Sequence, residues 1–162
     1  MHRSTGADAS FLSRRFEEKR NDCAQILRGC LNRRHMSILP ELVSPGVINH
    51  FNDKDEIGIE AFTRAVQRIT GIFPDGRFVI EDIVASGNNV AAHWSMTAIN
   101  SAPIAGNPAT GRTVTERAVV FYRFEGEKIA EVWLQVDQIG LFRQLGIKEL
   151  AIDGQISAQT PH

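Results

Sequence analysis

Residues 129–137 read IAEVWLQVD. Because successive side chains of a β-strand point to opposite faces, this alternation places Glu131, Trp133, Gln135 and Asp137 on one face and apolar side chains on the other. An aromatic ring, an amide and two carboxyls are unusual for a face that only meets water, although Glu131 has the alternative of pairing with an arginine on the neighbouring strand. We expect this polar face to line a pocket.

Three stretches upstream of this strand have a similar character. Residues 78–85, 90–97 and 114–124 are rich in β-branched and aromatic side chains and alternate in polarity. The short connections at 87–89 and 125–128 carry glycine and are typical of β-hairpins. The pattern therefore predicts a sheet whose strands pair mainly antiparallel.

Helical patterns precede these strands. Apolar side chains recur at helical spacing from 11 to about 35 and again over 58–73, with a short strand at 47–51 and a polar loop at 52–56 between them. Gly146 ends a short helix after the last strand. Helices first and strands afterwards predict an α+β fold, in which a curved, mostly antiparallel mixed sheet wraps around N-terminal helices.

The length of 162 residues suits one domain and leaves no room for two well-packed cores. Apolar residues make up 43% of the chain and charged residues 23%, values that are typical of a folded protein and exclude disorder as the main state. We expect a disordered segment at 1–10, a single domain at 11–146 and a C-terminal tail at 147–162.

The charge balance disfavours several classes of partner. Eighteen basic and nineteen acidic side chains give a net charge of -1, so the chain has no general attraction for nucleic acid. No apolar run approaches the roughly 18 residues of a membrane-spanning helix, and the first residues lack the apolar segment of a secretory signal. We expect a cytoplasmic protein with no nucleic-acid partner and no membrane partner.

The two cysteines point to buried thiols. Cys23 and Cys30 lie on one predicted helix, about 10 Å apart along its axis, which exceeds disulfide reach. We expect both to pack as small apolar side chains. The sequence contains no C-x-x-C pair and no cluster of His and Cys, so it gives no indication of a metal site.

The candidates for chemistry each have a structural alternative. Asp137 immediately precedes the last predicted helix, where Asp is a preferred N-cap, so it is a cap, a functional carboxyl, or both. His50 and His93 are lone strand histidines, which are either structural or acid–base groups. Glu116 and Arg117 fit an exposed sheet surface better than an active site. The sequence has no G-x-S-x-G elbow and no glycine-rich phosphate loop.

A series of short motifs occurs in a recognisable order. They are GIEAF at 58–62, FPD at 73–75, GNNVA at 87–91, GNPATGR at 106–112, EVW at 131–133 followed by Asp137, and QLG at 144–146. In this order and spacing they resemble the SnoaL-like polyketide cyclases of the nuclear transport factor 2-like superfamily, over about residues 24–146. The resemblance implies a conical α+β barrel that encloses an apolar pocket, and a homodimer.

The resemblance also implies roles for particular residues. In the cyclases an aspartate at the end of the last long strand acts as general acid and base, and Asp137 occupies that position. His50 falls where many relatives carry a histidine that faces the same pocket. The chain departs from the cyclases at 119–122, where VVFY replaces polar Gln and His residues.

These residues predict an enzyme that uses no cofactor and no metal. One carboxyl can remove a proton next to a carbonyl and later protonate the new alkoxide, while conjugated carbonyls of the substrate delocalise the charge. We expect Gln135 and His50 to hydrogen-bond the developing enolate. The substrate is expected to be a hydrophobic carbonyl compound such as a polyketide. The expected substrate contacts are Trp133, Trp94, Phe62 and His93.

A second interpretation is a ligand-binding or protein-interaction domain that keeps the fold and has lost catalysis. The apolar residues at 119–122 favour this alternative. The face that carries Trp133, Gln135 and Asp137 favours the enzyme.

Overall fold

Residues 6–51 and 54–147 are described by a computed structural model. The helices are α1 (Gly6–Gln25), α2 (Leu39–Leu42), α3 (Ile59–Ile72) and α4 (Gln138–Leu145), and the strands are β1 (Val43–Phe51), β2 (Lys54–Ile57), β3 (Arg77–Ser86), β4 (Asn89–Ile99), β5 (Thr113–Glu125) and β6 (Lys128–Val136). A π-helical segment, Ile26–Asn32, prolongs α1, and a 3-10 turn at Met36–Ile38 precedes α2.

The described strands form one curved sheet in the order β2-β1-β6-β5-β4-β3. Neighbouring strands are antiparallel except β1 and β6, which are parallel. Tight turns at 87–88 and 126–127 join β3 to β4 and β5 to β6, as the sequence predicts. The predicted α+β class, with a mostly antiparallel mixed sheet and N-terminal helices, is confirmed. The barrel is open, because β2 and β3 are edge strands.

Two segments differ from the sequence prediction. α1 begins at Gly6, so residues 6–10 are helical and do not belong to a disordered segment. Residues 54–56, expected in a polar loop, belong to β2, whose mostly exposed, charged side chains suit a strand at the edge of a sheet. The predictions for residues 1–5 and for the tail from 148 onward lie outside the described residues.

Helices cover one face of the sheet, here called the inner face. α1 packs on β3 and β4, α3 packs on β1, and α4 packs on β5. Every second side chain of β5, from Val114 to Phe124, is buried on this face. The opposite face, here called the outer face, carries exposed apolar side chains that include Val84, Val119 and Phe121.

The core lies between the inner face and the helices. Leu27 of the π-helical segment, Phe62 of α3 and Trp94 of β4 belong to one buried cluster with Phe124. Burial of each such side chain contributes roughly 1.5–3 kcal/mol to folding. Cys23 and Cys30 are buried free thiols, as predicted. No helix among the described residues is long and apolar enough to span a membrane.

A buried lysine fixes α1 to the sheet. Lys19 Nζ donates to the carbonyl of Gly87, at 2.9 Å, and to Oδ1 of Asn88, at 2.8 Å, in the turn between β3 and β4. Its ammonium also lies 5.5 Å from the ring centre of Phe124. Burial lowers the pKa of Lys19, and these partners satisfy its charge. The helix is thereby held across the inner face.

Candidate functional site

A pocket of about 260 Å³ lies at one end of the inner face, between α3 and α4; we call it the α3–α4 pocket. Its lining residues are Phe51, Arg68, Ile69, Ile72, Phe73, Ile104, Ala105, Glu116, Val136, Gln138, Leu141 and Phe142. Most of this wall is aliphatic or aromatic, with a few polar groups, which is the usual composition of a small-molecule site.

Glu116 is the acidic residue in the wall of this pocket. The register of β5 turns its side chain to the inner face, in line with Val114 and Ala118 and paired with Met96 of β4. Glu116 is only 8% exposed. Among the described residues, no hydrogen bond or ion pair engages its carboxyl. The prediction that Glu116 belongs to an exposed sheet surface is wrong, because its position in β5 coincides with the apolar register.

The surroundings of Glu116 favour its neutral form. Burial, and after it the negative charge of Asp137, raises the pKa of this carboxyl to about 7. Desolvation and a nearby like charge both disfavour ionisation of a carboxyl. Close to neutral pH, Glu116 is therefore able both to give and to take a proton.

Asp137 is the N-cap of α4. Its Oδ1 accepts a hydrogen bond from the backbone N–H of Gly140 at 2.8 Å, and its own N–H donates to the carbonyl of Arg117 at 2.9 Å. A Cβ at Gly140 would lie too close to the Asp137 carboxyl, so a larger residue there would displace this side chain from its capping position. The capping alternative for Asp137 is confirmed. Its side chain is exposed, and it lies close enough to Glu116 in the pocket wall for its negative charge to act on that carboxyl.

Gln144 fixes α4 over the start of β5. Its Oε1 accepts from the N–H of Thr115 at 2.7 Å, and its Nε2 donates to the carbonyl of Thr115 at 2.8 Å. Arg112 donates to the carbonyl of Gln144 at 3.1 Å. Leu141 and Leu145 are buried on the same helix. These contacts hold the α4 wall of the pocket beside Glu116.

A loop between β4 and β5 closes another side of the pocket. Asn100 is fully buried and holds the loop, because its Oδ1 accepts from the N–H of Thr110 at 2.7 Å and from its hydroxyl at 2.9 Å. Ile104 pairs with Asn107 in a narrow turn, and Ala105 at its tip has a φ of 49°. Ile104 and Ala105 reach the pocket from this turn.

Arg68 brings a positive charge to the pocket wall. It lies on α3 next to Ile69 and one turn before Ile72, and its side chain is about half exposed. Its guanidinium is 3.8 Å from a carboxylate oxygen of Glu56 on β2. The polar groups of the pocket are therefore Arg68, Glu116 and Gln138, surrounded by apolar side chains.

Trp133, Gln135 and His50 lie on the outer face, away from the pocket. On β6, Val132 and Leu134 face inward, so the residues that alternate with them point outward. The expectation that the polar side of 129–137 lines a pocket is wrong for Trp133 and Gln135, and so is the expectation that His50 faces this pocket. Alternation correctly predicts which residues share a face. The helices and the pocket, however, lie on the apolar face of β6 and not on its polar face. The same reasoning applies to β1, where the flanking Asn49 and Phe51 face inward.

His50 instead forms an outer-face cluster with charged partners. Its Nδ1 is 2.6 Å from Oδ1 of Asp55, its Nε2 is 3.9 Å from Glu131, and its ring stacks on Trp133 with 4.6 Å between centroids. Arg123 donates to Glu131 at 2.5 Å, and this hydrogen bond lowers the pKa of the Glu131 carboxyl. The predicted pairing of Glu131 with an arginine of the neighbouring strand is confirmed.

The remaining predicted contacts are divided between the two faces. His93 is exposed on the outer face, in a shallow depression beside Val84 and Val119, and does not reach the inner cavities. Trp94 and Phe62 are buried on the inner side and border a narrow cavity of about 60 Å³. Ile69 lines both this cavity and the α3–α4 pocket, so the two spaces are neighbours.

The sequence contained a signal for Glu116 that the prediction missed. In β5 the inward positions are Val114, Glu116, Ala118, Val120, Tyr122 and Phe124, so one carboxyl interrupts an otherwise apolar register. A charged side chain in a buried register has a desolvation cost and often marks a functional position. Among the described residues, no group of three or more His, Cys, Asp or Glu side chains is arranged to hold a metal ion.

A family model described as SnoaL-like polyketide cyclase matches residues 21–145 of the chain. Curated protein sequences gave no significant match. A solved structure of a SnoaL-like polyketide cyclase from Agrobacterium tumefaciens is 27% identical, with a TM-score of 0.67 over 78% of this chain and 97% of that chain.

Two further solved structures have the same fold. TsrD from Streptomyces laurentii is 25% identical, with a TM-score of 0.72 over 81% of this chain and 96% of that chain. A protein from Jannaschia sp. CCS1, proposed to be a SnoaL-like polyketide cyclase, is 16% identical, with a TM-score of 0.75 over 93% of this chain and 99% of that chain. The last similarity concerns the fold alone.

Proposed function

The chain belongs to the SnoaL-like polyketide cyclase family, and we propose that it is a cofactor-independent enzyme that moves protons on a hydrophobic carbonyl compound, such as a polyketide, bound in the α3–α4 pocket. The proposal rests on one observation: an apolar pocket of about 260 Å³ has ionisable carboxyls in and beside its wall. An apolar cavity with a few polar groups suits a ligand whose body is hydrophobic and whose reactive part is a carbonyl.

Asp137 is the proposed base. It lies where the chain passes from β6 to α4, between two residues that line the pocket. Its Oδ1 accepts the capping hydrogen bond of Gly140. A carboxylate has two oxygens with several acceptor positions, so capping leaves it capacity to accept a proton from a ligand in the pocket.

The proposed reaction is an intramolecular aldol closure or a related isomerisation. The base removes a proton from a carbon next to a carbonyl and leaves an enolate. The enolate carbon attacks a second carbonyl carbon of the same molecule, so that a carbon–carbon bond and an alkoxide form. The alkoxide then takes up a proton. The product is an isomer of the substrate, and the reaction consumes no oxidant or co-reactant.

The alternative is a binding domain of the same fold without catalysis. The observation that favours it is the placement of His50 and Gln135 on the outer face, which removes two expected hydrogen-bond partners of an enolate from the pocket. Ligand binding without turnover would support this alternative.

The two functions are separated by a ligand screen followed by one substitution. A panel of aromatic polyketide and terpenoid carbonyl compounds is first tested for an increase in Tm. Turnover of the stabilising compounds is then compared in the wild type and in Asp137→Asn, which keeps the shape of the side chain and can still cap α4. We expect a loss of rate on the order of 10²–10⁴ with binding retained.

The matched control is Asp82→Asn. Asp82 also accepts a backbone hydrogen bond, from the N–H of Ile83 at 2.8 Å, but it lies on β3 beside His93 of the outer face. Its substitution should leave turnover unchanged. Wild-type rates in Asp137→Asn would remove Asp137 as the base, and binding without turnover by the wild type would favour the binding domain.

We also propose that the protein is a homodimer that associates through the outer face. Cross-strand pairing aligns Val84, Ala91, Phe121, Trp133 and His50 in one row across five strands. Exposed apolar surface of this kind marks an interaction site. A second copy would cover the row with the same apolar surface, since a two-fold interface is self-complementary.

Light scattering tests this assembly. We expect twice the 18.0 kDa mass of one chain for the wild type and the single-chain mass for Val119→Asp, which puts a charge beside the row. Ile139→Asp is the control, because Ile139 is equally exposed but lies on α4. A wild-type mass of one chain at micromolar concentration would contradict the proposal.

A further inference from the structure

We propose that Glu116 is a second catalytic residue of the α3–α4 pocket, the acid that protonates the substrate oxygen while Asp137 takes the proton from carbon. This inference rests on the proposed function and assigns a role to a residue that neither the motifs nor the family resemblance singled out. It is carried by the position of Glu116 in the fold.

The first argument is geometric. Glu116 lines the pocket directly, whereas Asp137 lies beside it. β5 lies inside the sheet: at Glu116 it pairs with Met96 of β4, and its pairing with β6 begins two residues later, where Ala118 is opposite Val136. The carboxyl is therefore presented to the pocket by the middle of a sheet, which is a rigid support for a catalytic group.

The second argument is that the carboxyl of Glu116 has no hydrogen-bond or ion-pair partner in the described part of the chain. Buried polar groups in folded proteins are almost always hydrogen-bonded, because an unpaired one is destabilising. Within the described ranges the other buried charged residue is Lys19, which satisfies this rule through two hydrogen bonds. Glu116 makes none within residues 6–51 and 54–147. An unpaired carboxyl that opens into a ligand-sized cavity is best explained by a ligand that pairs with it.

The third argument is the charge environment. Burial, followed by the negative charge of Asp137, raises the pKa of Glu116 to about 7. The other charged group in the pocket wall is Arg68 of α3. The neighbouring loop contributes Ile104 and Ala105, and α4 contributes side chains without charge. A pKa near neutral pH leaves Glu116 able to hold a proton under ordinary conditions, which suits a general acid.

The two carboxyls then divide the work. Asp137 accepts the proton from carbon, and Glu116 gives its proton to the oxygen that becomes negative, so that an alcohol or enol forms. After product release, Asp137 holds one proton and Glu116 is an anion. Transfer of that proton from Asp137 to Glu116 restores the starting state, and the substrate has gained and lost no atoms. Paired carboxyls with different environments commonly share acid and base roles in this way.

A titration without any ligand tests the charge state of Glu116. The protein is labelled with ¹³C at the side-chain carboxyls of Glu, and their chemical shifts are followed by NMR from pH 3 to pH 9, a range chosen to span ordinary and raised carboxyl values. We expect a single resonance with a midpoint near 7, absent in Glu116→Gln and present in Glu125→Gln. Glu125 is the matched control because it is an exposed glutamate on the same strand.

The same titration of Asp137→Asn gives a second test. Removal of the Asp137 charge should lower the midpoint of the Glu116 resonance, because that charge is one cause of the raised pKa. If every glutamate titrates in the ordinary range, the proposed role of Glu116 is wrong, whatever the protein binds.

A kinetic test uses hydrogen–deuterium exchange next to the carbonyl of α-tetralone, a small aromatic ketone, in heavy water. We expect the wild type to accelerate exchange at pH 6–7 and to lose activity as the pH rises above about 7, where Glu116 is an anion. Glu116→Gln should reduce the rate by on the order of 10²–10⁴ without this pH dependence. Glu116→Asp, which keeps an acid, should recover part of the rate, and Glu125→Gln should match the wild type.

The outcomes of the two tests are distinguishable. An unchanged rate in Glu116→Gln contradicts the proposal even if the wild type is an enzyme. A titration near neutral pH with no acceleration by the wild type contradicts the proposed function, and with it the catalytic role. A thermal unfolding curve for Glu116→Gln like that of the wild type establishes that lost activity does not come from lost structure.

Discussion

The inner and outer faces of the β5–β6 pair hold carboxyls in opposite environments. Glu131, on the outer face, is hydrogen-bonded to Arg123 and lies near His50, and its pKa is lowered. Glu116, on the inner face, has apolar neighbours and the charge of Asp137 nearby, and its pKa is raised to about 7. A carboxylate held by an arginine stays an anion, whereas an unpaired buried carboxyl can exchange a proton. The position of a carboxyl along these two strands therefore says little about its function. What matters is whether helices cover the face of the sheet on which it lies.

The largest expected difference between the faces is in packing. Phe124 and Phe121 are both on β5, but Phe124 is 1% exposed on the inner face and Phe121 is 40% exposed on the outer face. Phe124→Ala should lower the free energy of unfolding by roughly 3–5 kcal/mol, because it leaves a cavity in the core. Phe121→Ala should lower the free energy of unfolding of a single chain by less, about 1–2 kcal/mol, because it removes the edge contact with Trp133 and a partly buried side chain but leaves no cavity in the core.

Urea unfolding at several protein concentrations checks this prediction. If Phe121 belongs to a dimer interface, its substitution should also reduce the dependence of the midpoint on protein concentration. Equal effects of the two substitutions in the monomer would show that the outer face is as closely packed as the inner one, and would remove the distinction between them.

The second prediction concerns the pH dependence of stability that Glu116 causes. Its pKa in the folded protein, about 7, is above the 4.5 of an unfolded glutamate. The folded state therefore binds more protons than the unfolded state between these values. The contribution of Glu116 to stability is fully present below pH 4.5 and is lost as the pH rises through 7. At 1.36 kcal/mol per unit the loss is about 3 kcal/mol.

Glu116→Gln should remove this dependence. The difference in free energy of unfolding between Glu116→Gln and the wild type should change by about 3 kcal/mol in favour of the variant between pH 4 and pH 9. Urea titrations at each pH measure it, and Glu125→Gln serves as the control. A difference that is the same at all pH values would mean that Glu116 is ionised or exposed in the folded protein.

These contrasts explain how far the sequence predicts this protein. Alternation and turn chemistry predict the strands at 78–85, 90–97, 114–124 and 129–137 and both hairpins, because these depend on local geometry. Alternation also sorts each strand into two faces. It does not say which face the helices cover, since that depends on packing between distant segments. This is why the sequence wrongly predicts a pocket at the polar face of β6, which is the outer face.

The candidate site was predicted in part for a similar reason. The place of Asp137 before a helix predicts an N-cap as one of its two alternatives, and the structure confirms this local feature. Phe62 and Trp94, expected as substrate contacts, are buried on the inner side and border the narrow cavity. Glu116 was missed because its charge was taken as a sign of exposure. A comparison of each residue with the whole register of β5 would have identified it.

The third prediction separates the capping role of Asp137 from its proposed catalytic role. Asp137→Ala removes the hydrogen bond to Gly140 and should lower the free energy of unfolding by about 1 kcal/mol. Asp137→Asn keeps the cap and should change stability by only a few tenths of this value. Urea unfolding of the two variants measures the difference. A loss of stability in Asn as large as in Ala would mean that the charge of Asp137, and not its capping geometry, stabilises α4.

The smallest expected effect is that of Glu131→Gln, and its pH dependence should have the opposite sign to that of Glu116→Gln. The hydrogen bond of Arg123 lowers the pKa of Glu131 in the folded protein below the 4.5 of an unfolded glutamate. The stability that the ion pair contributes is therefore present above the unfolded pKa and lost as the pH falls through the folded one. In a single chain the Glu131–Arg123 pair is partly exposed on the outer face, where salt screens charges, so the effect should decrease as salt is added. Urea unfolding of Glu131→Gln at pH 3 and pH 7, at low and high salt, measures both dependences, with Glu116→Gln as the opposing reference. If the two variants changed with pH in the same direction, the contrast between a paired outer carboxylate and an unpaired inner carboxyl would be wrong.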